Sequence, residues 1–242
     1  MKLKIIIVVL FLSSLTLKLE AQFKLQNHFD IGSNGISNGL FISNSTFFDY
    51  TLKKTNFKIG TRFDLENQYL FNTFFSGLDL EIMQKFPLKK IELSATLQYF
   101  TNFFSPTITE HNVALLGGLK SKHFEFLTGV HFRSIVLPKD FISLDPNINN
   151  RYIFELWNLV YHLKYSVKPI DGRWNVGLGV TNMDYFLINQ ASNPMFYIFG
   201  NYKIIPKLSI FAECWLQNAG IMNISANYFG SFFRTGLLWK IN

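Results

Sequence analysis

Apolar and polar side chains take turns along residues 151–183. In the first part the odd positions Ile153, Trp157, Leu159, Tyr161, Leu163, Tyr165 and Val167 are apolar or aromatic, with Glu155 the exception. The even positions Asn158, His162, Lys164, Ser166 and Lys168 are polar, with Phe154, Leu156 and Val160 intruding. A turn over Lys168-Pro169-Ile170-Asp171-Gly172 follows, in which Pro fixes φ and Gly accepts a positive one. Beyond it Trp174, Val176, Leu178 and Val180 alternate with Asn175, Gly177, Gly179 and Thr181. A period of two puts neighbouring side chains on opposite faces, so both arms are predicted strands. Each has about 10 residues or more, the length a tilted strand needs to cross a bilayer.

The same alternation recurs along the chain and predicts twelve strands, near 23–32, 38–51, 56–67, 73–86, 90–101, 110–120, 123–136, 151–167, 173–183, 194–205, 207–217 and 227–241. Phe57, Ile59, Phe63 and Leu65 interleave with Lys58, Gly60, Arg62 and Asp64. Likewise Phe124, Phe126, Val130 and Phe132 interleave with Glu125, Gly129, His131 and Arg133. Every second connection is short and basic: Lys53-Lys54, Pro87 to Lys90, Lys120 to Lys122, Lys168 to Arg173, Pro206-Lys207. The others, at 33–37, 67–72, 102–109, 137–150, 184–193 and 218–226, are longer and rich in Asn, Ser, Gly and Pro. Short turns on one rim and long loops on the other are the pattern of an outer-membrane barrel. The expected fold is all-β: a single antiparallel transmembrane β-barrel of about twelve strands with both termini periplasmic. A soluble β-sandwich also alternates, but its strands are nearer five or six residues and its aromatic faces turn inward.

Composition sharpens this picture in three places. Twenty-seven Phe and ten Tyr in 242 residues is the load expected of aromatic girdles at two bilayer interfaces. Met1-Lys2-Leu3-Lys4 followed by the apolar run Ile5 to Leu17 fits a secretory signal peptide, giving residues 1–21 as the signal and 22–242 as the barrel. The formal charge is +7, of which the signal supplies +2. The remaining basic residues sit in turns and at inward positions rather than on one helix face, which disfavours nucleic acid and favours lipid headgroups or a lumen. The single Cys214 cannot form an intramolecular disulfide.

The Ala21-Gln22 junction and the Phe- and Asn-rich strands resemble outer-membrane barrels of Bacteroidota. The final stretch, Phe232-Phe233-Arg234-Thr235-Gly236-Leu237-Leu238-Trp239-Lys240-Ile241-Asn242, resembles the C-terminal insertion signal of outer-membrane barrels, with Trp239 the aromatic nearest the end. The resemblance is to a class. It implies export and residence in the bacterial outer membrane, and it transfers no functional residue.

Some outer-membrane barrels are lipid hydrolases that use a Ser two residues from a His on one strand face. The five His here are followed two residues on by Asp30, Val113, Glu125, Arg133 and Lys164, so that reaction is disfavoured. His131 and His162 point inward on neighbouring strands at a similar height. With Arg62, Glu125, Arg133, Asn158 and Lys164 they are the candidate lumen-lining residues, and paired charges are the ordinary content of such a lumen. Asp79, Glu81 and Glu92 face Lys58, Arg62 and Lys85 as expected ion pairs. Inward Gly177, Gly179 and Gly236 are read as coiling points of the wall, and inward Phe199, Phe211, Trp215 and Leu238 as obstructions of a modest bore. Phe141, Ile142 and Leu144, with Tyr185, Phe186 and Leu187, are apolar residues in two long loops and candidate partner contacts. No catalytic residue, metal site or cofactor is expected. The functional expectation is a non-enzymatic subunit or scaffold of an outer-membrane protein complex. The alternatives are a small pore for polar or anionic solutes and, third, a lipid-modifying hydrolase. Expected partners are outer-membrane lipids and outer-membrane proteins, with no nucleic acid.

Overall fold

A computed structural model describes residues 21–34, 39–67, 74–103, 108–137, 152–170, 172–183, 194–219 and 228–241. The regular structure there is strand throughout. The first four are β1 (Ala21–Asn34), β2 (Gly39–Leu52), β3 (Thr55–Asn67) and β4 (Phe75–Pro87). Next come β5 (Glu92–Phe103), β6 (Thr109–Lys120), β7 (Phe124–Val136) and β8 (Tyr152–Ser166). The last four are β9 (Trp174–Thr181), β10 (Met195–Ile205), β11 (Leu208–Ala219) and β12 (Tyr228–Lys240). Each strand overlaps one predicted from the alternation. The signal-peptide expectation lies outside the described residues except for Ala21, which begins β1 opposite Leu52.

Every strand pairs antiparallel with its sequence neighbours, and β1 pairs with β12 to close the barrel. The seam runs from Lys24 opposite Lys240 to Asn34 opposite Gly230. Closure leaves no sheet edge, and the backbone is satisfied within the wall, as a bilayer requires. An even strand number brings the chain back to the rim where it entered, so β1 begins and β12 ends beside the short turns. The hairpin at Lys53-Lys54 takes a positive φ of 54° at Lys53. The pairing register shifts at Ile42/Ser43, Arg62/Phe63, His131/Arg133 and Lys203/Ile205, and a bulge at such a point increases local twist.

Burial follows the alternation with its sense inverted relative to a soluble protein. Leu159, Leu178 and Ile198 are 66%, 60% and 63% exposed on the outer wall, whereas Asp30, Asn112 and Ser166 are fully buried inside. Leu97, Leu115 and Leu237 continue this outward aliphatic belt. Rings flank it. Phe23, Phe57, Phe86, Tyr165, Trp174, Tyr202 and Trp239 stand exposed near the turn rim, and Phe74, Phe75, Tyr152, Phe154 and Phe196 near the loop rim. An aliphatic belt between two aromatic girdles is the outer surface of a membrane-spanning barrel. At the turn rim Lys168 lies 3.7 Å over the Trp174 ring, and Arg173 donates to the Tyr202 hydroxyl at 3.2 Å. Each thereby holds a cation where the interface places it.

Candidate functional site

The inward residues of the barrel form oblique rows, because each strand offers one side chain opposite the next strand's. One row begins with charge and ends with rings: Glu125, Lys164, Gly179, Tyr197, Trp215, Phe232, Gly32 and Phe41 are successive register partners from β7 around to β2. Tyr197 stacks on Trp215 with centroids 4.2 Å apart, and Trp215 on Phe232 at 5.3 Å and 7°. Phe232 then meets Phe41 edge-on at 6.0 Å, reaching across β1 where Gly32 has no side chain. At the other end Gly179 leaves the space that the Tyr197 ring occupies, since a Cβ there would overlap that ring. Gly177 does the same for Phe199, and Gly236 for Phe211. These glycines are seats for rings from the adjacent strand. The reading of Gly177, Gly179 and Gly236 as coiling points therefore left out their packing role.

Beside the ring row stands an ion cluster that spans the seam. Asp30 on β1 and Arg234 on β12 are direct register partners. The Arg234 Nε donates to Asp30 Oδ1 at 2.7 Å and its Nη2 donates to Oδ2 at 3.0 Å. Such a two-point guanidinium–carboxylate pair is the strongest common geometry. Arg234 also lies 3.6 Å from Glu213, which accepts a 2.9 Å hydrogen bond from the Trp215 indole. The guanidinium sits over the Trp215 and Phe232 rings at 5.3 and 5.5 Å, so the rings and the ions form one unit.

The opposite wall carries a second polar group of residues. Arg62 donates to Asp79 at 3.0 Å and to the Thr101 carbonyl at 2.6 Å, and both Arg62 and Asp79 are buried. Gly77 leaves the space the Arg62 guanidinium needs. Lys58 pairs with Glu81 at 3.9 Å and Lys85 with Glu92 at 3.4 Å. His131 Nε2 lies 2.8 Å from the Asn112 Oδ1 and stacks 5.9 Å from Phe100, with Arg133, Glu110 and Gln98 buried nearby on β5 to β7. Asn158 stands opposite His131. Between the two walls remains a polar cavity of about 140 Å³, lined by residues including Gln26, His28, Lys58, Arg62, Asp79 and Arg234.

The sequence-predicted lumen residues are thus divided among separate contacts. His131 and His162 sit on adjacent strands but not at one height: His131 faces Asn158, while His162 faces Leu127 and meets the Tyr197 hydroxyl at 3.1 Å. Glu125 and Lys164 are register partners, and the Lys164 ammonium lies 4.0 Å over the Phe199 ring. The loop candidates Phe141, Ile142, Leu144, Tyr185, Phe186 and Leu187 fall outside the described residues. Sequence reasoning missed Asp30, Glu213 and Arg234. The available signal was an inward acid in the first strand and an inward base in the last, two strands that closure must bring together. Among the described residues no group of His, Cys, Asp and Glu is arranged to hold a metal ion.

No protein-family model matches the chain, and no curated protein does. Solved structures do resemble it in shape. The NanC porin superposes with a TM-score of 0.54 at 13% identity, over 89% of this chain and 100% of that one. The KdgM porin, solved in complex with disordered oligogalacturonate, gives 0.52 at 6% identity, over 90% and 99%. Outer membrane phospholipase A from Escherichia coli reaches 0.45 at 8% identity, over 93% and 91%, a score too low to bear on this chain. At such identities the likeness concerns the fold: this chain has the architecture of a closed, twelve-stranded outer-membrane β-barrel.

Proposed function

We infer that the protein resides in the bacterial outer membrane, exported by its N-terminal signal, as a non-enzymatic barrel that serves as a subunit or scaffold of a membrane protein complex. One observation carries this reading. On the inner face of the loop-side half of the barrel the Tyr197–Trp215–Phe232 stack is locked to the Asp30–Arg234–Glu213 cluster and narrows the lumen. A barrel whose lumen is narrowed by its own locked side chains has its outer wall and loops as its main working surfaces, and Phe141, Ile142, Leu144, Tyr185, Phe186 and Leu187 are the loop residues suited to a protein partner. Among the described residues the inward histidines contact Gln26 and Asp30 (His28), Asn112 (His131) and Tyr197 (His162), so each is tied into the wall of the lumen.

A narrow pore for polar or anionic solutes is the second reading. The polar cavity of about 140 Å³ beside Lys58, Arg62 and Arg234 favours it, and the porin-like shape is compatible with it. Planar-bilayer recording separates the two. The wild-type barrel is expected to give no steady open channel, and Tyr197→Ala/Trp215→Ala is expected to gain one. A steady conductance in the wild type would overturn the scaffold reading in favour of the pore. Extraction in mild detergent followed by size exclusion then tests the complex itself, with a stoichiometric protein expected to co-elute.

A further inference from the structure

The wall formed by β1 to β5 is not evenly convex. On its outer, lipid-facing side lies an apolar groove of about 620 Å³. Its rows follow the register: Phe23, Tyr50, Phe57, Ile82 and Leu97 are successive partners, with Phe48, Ile59, Leu80 and Tyr99 forming the next row. Lys24, Asp49, Lys58 and Glu81 also border the groove, from strand positions that turn toward the lumen. Four strand spacings make a path of about 19 Å. Because barrel strands are tilted by roughly 35–45°, a row running across them also climbs through the membrane. Phe23 and Phe57 lie two residues inside their strand starts, whereas Leu97 lies five residues inside β5, so the path rises away from the turn rim.

A groove of this kind in the hydrocarbon layer does not fill with water, since its walls are almost wholly apolar and the charged residues at its border turn toward the lumen. It fills with hydrocarbon. The low end of the path opens beside the Lys53-Lys54 turn between β2 and β3, and the Lys89-Lys90 turn between β4 and β5 stands on the same rim below its high end; all four lysines are exposed. None of the four makes an ion pair among the described residues. An oblique apolar channel that opens at one exposed lysine pair, with a second pair on the same rim, matches one kind of molecule: an acyl chain joined to an anionic headgroup.

We propose that this groove is a specific site for an anionic phospholipid of the leaflet at the turn rim. One acyl chain lies along the Phe48, Ile59 and Leu80 floor, and the phosphate is held by Lys53, Lys54, Lys89 and Lys90. The site is independent of whether the lumen conducts. It differs from general lipid contact in requiring both a seat for the chain and the four charges. Each Lys near an anionic lipid surface adds a comparable attraction, so the set is expected to favour phosphatidylglycerol over phosphatidylcholine by about tenfold or more.

The test is native mass spectrometry of the full-length purified barrel titrated with phosphatidylglycerol or phosphatidylcholine. Insertion is read separately, from the faster gel mobility of unheated protein. Wild type is expected to retain one phosphatidylglycerol through activation that strips phosphatidylcholine. The Lys53→Gln/Lys54→Gln/Lys89→Gln/Lys90→Gln variant is expected to lose that preference, while Lys168→Gln/Lys207→Gln, on the far side of the same rim, keeps it. Leu80→Trp, which fills the floor, is expected to weaken both lipids. Equal retention of the two lipids by wild type would overturn the proposal. So would an undiminished preference in the quadruple variant, or a second copy or protein partner found in place of the lipid.

Discussion

Asp30 has no exposed surface, yet it keeps its charge satisfied because both of its oxygens are taken by one guanidinium. Removing one member of such a pair leaves the other buried without its counter-charge, which costs about 3–5 kcal/mol. Asp30→Asn is therefore expected to lower stability by that amount in urea unfolding from lipid vesicles, and Asp30→Met/Arg234→Met to regain much of it. A loss below about 1 kcal/mol in the single variant would mean that Glu213 alone holds the Arg234 charge. Gly179 acts at the same scale by what it lacks. A side chain there drives the Tyr197 ring off its 4.2 Å stack with Trp215 and its 3.1 Å contact with His162. Overpacking of this kind costs about 1–3 kcal/mol. Gly179→Val is expected to show that loss together with a weakened near-ultraviolet dichroism from the coupled rings. Neither residue announces itself in the sequence. Asp30 is one acid among several, and the partner that explains it lies at the other end of the chain. The glycines were visible as small inward residues, but the ring that fills each seat is chosen by a register no local pattern reveals.

The strands themselves were legible because a two-sided wall imposes a period of two wherever one side is lipid. Trp174, Val176, Leu178 and Val180 face out and Asn175, Gly177, Gly179 and Thr181 face in, as the alternation alone indicates. The pairings of Lys58, Arg62 and Lys85 with Glu81, Asp79 and Glu92 follow from the same rule, since adjacent strands bring Lys58 level with Glu81 and set Arg62 and Lys85 one diagonal step from Asp79 and Glu92. Relative height across a hairpin was not legible where a bulge intervenes. The β7–β8 register shifts at His131/Arg133, and His162 lies four residues, about 13 Å, along the strand from the position that faces His131. Leu178→Arg tests the element directly. On an outer wall where Leu178 is 60% exposed, an arginine at membrane mid-depth is expected to lower insertion by ~2–4 kcal/mol, read as reduced folding yield into vesicles. Normal folding would place that face of β9 inside.

At the scale of the whole molecule everything depends on one seam. Gly236 on β12 lies against the Asn27 carbonyl and the His28 side chain of β1, and against the Phe211 ring of β11. Gly236→Val is expected to block the approach of β12 to β1, seen as loss of the compact, heat-sensitive gel form while far-ultraviolet dichroism still reports strand. Every other hairpin joins segments close in sequence, but the Asp30–Arg234 contact spans 204 residues. Closing a flexible loop of that length carries an entropy penalty on the order of 5 kcal/mol, and distant contacts of this kind slow folding. The eleven hairpin contacts along the chain form without that penalty, so the seam is expected to close last, with the ion pair across it as the latch. Synthesis that stops before Arg234 does not leave a smaller barrel. It leaves a curved sheet with two sticky margins and no latch, a species open to capture by whatever strand it meets first.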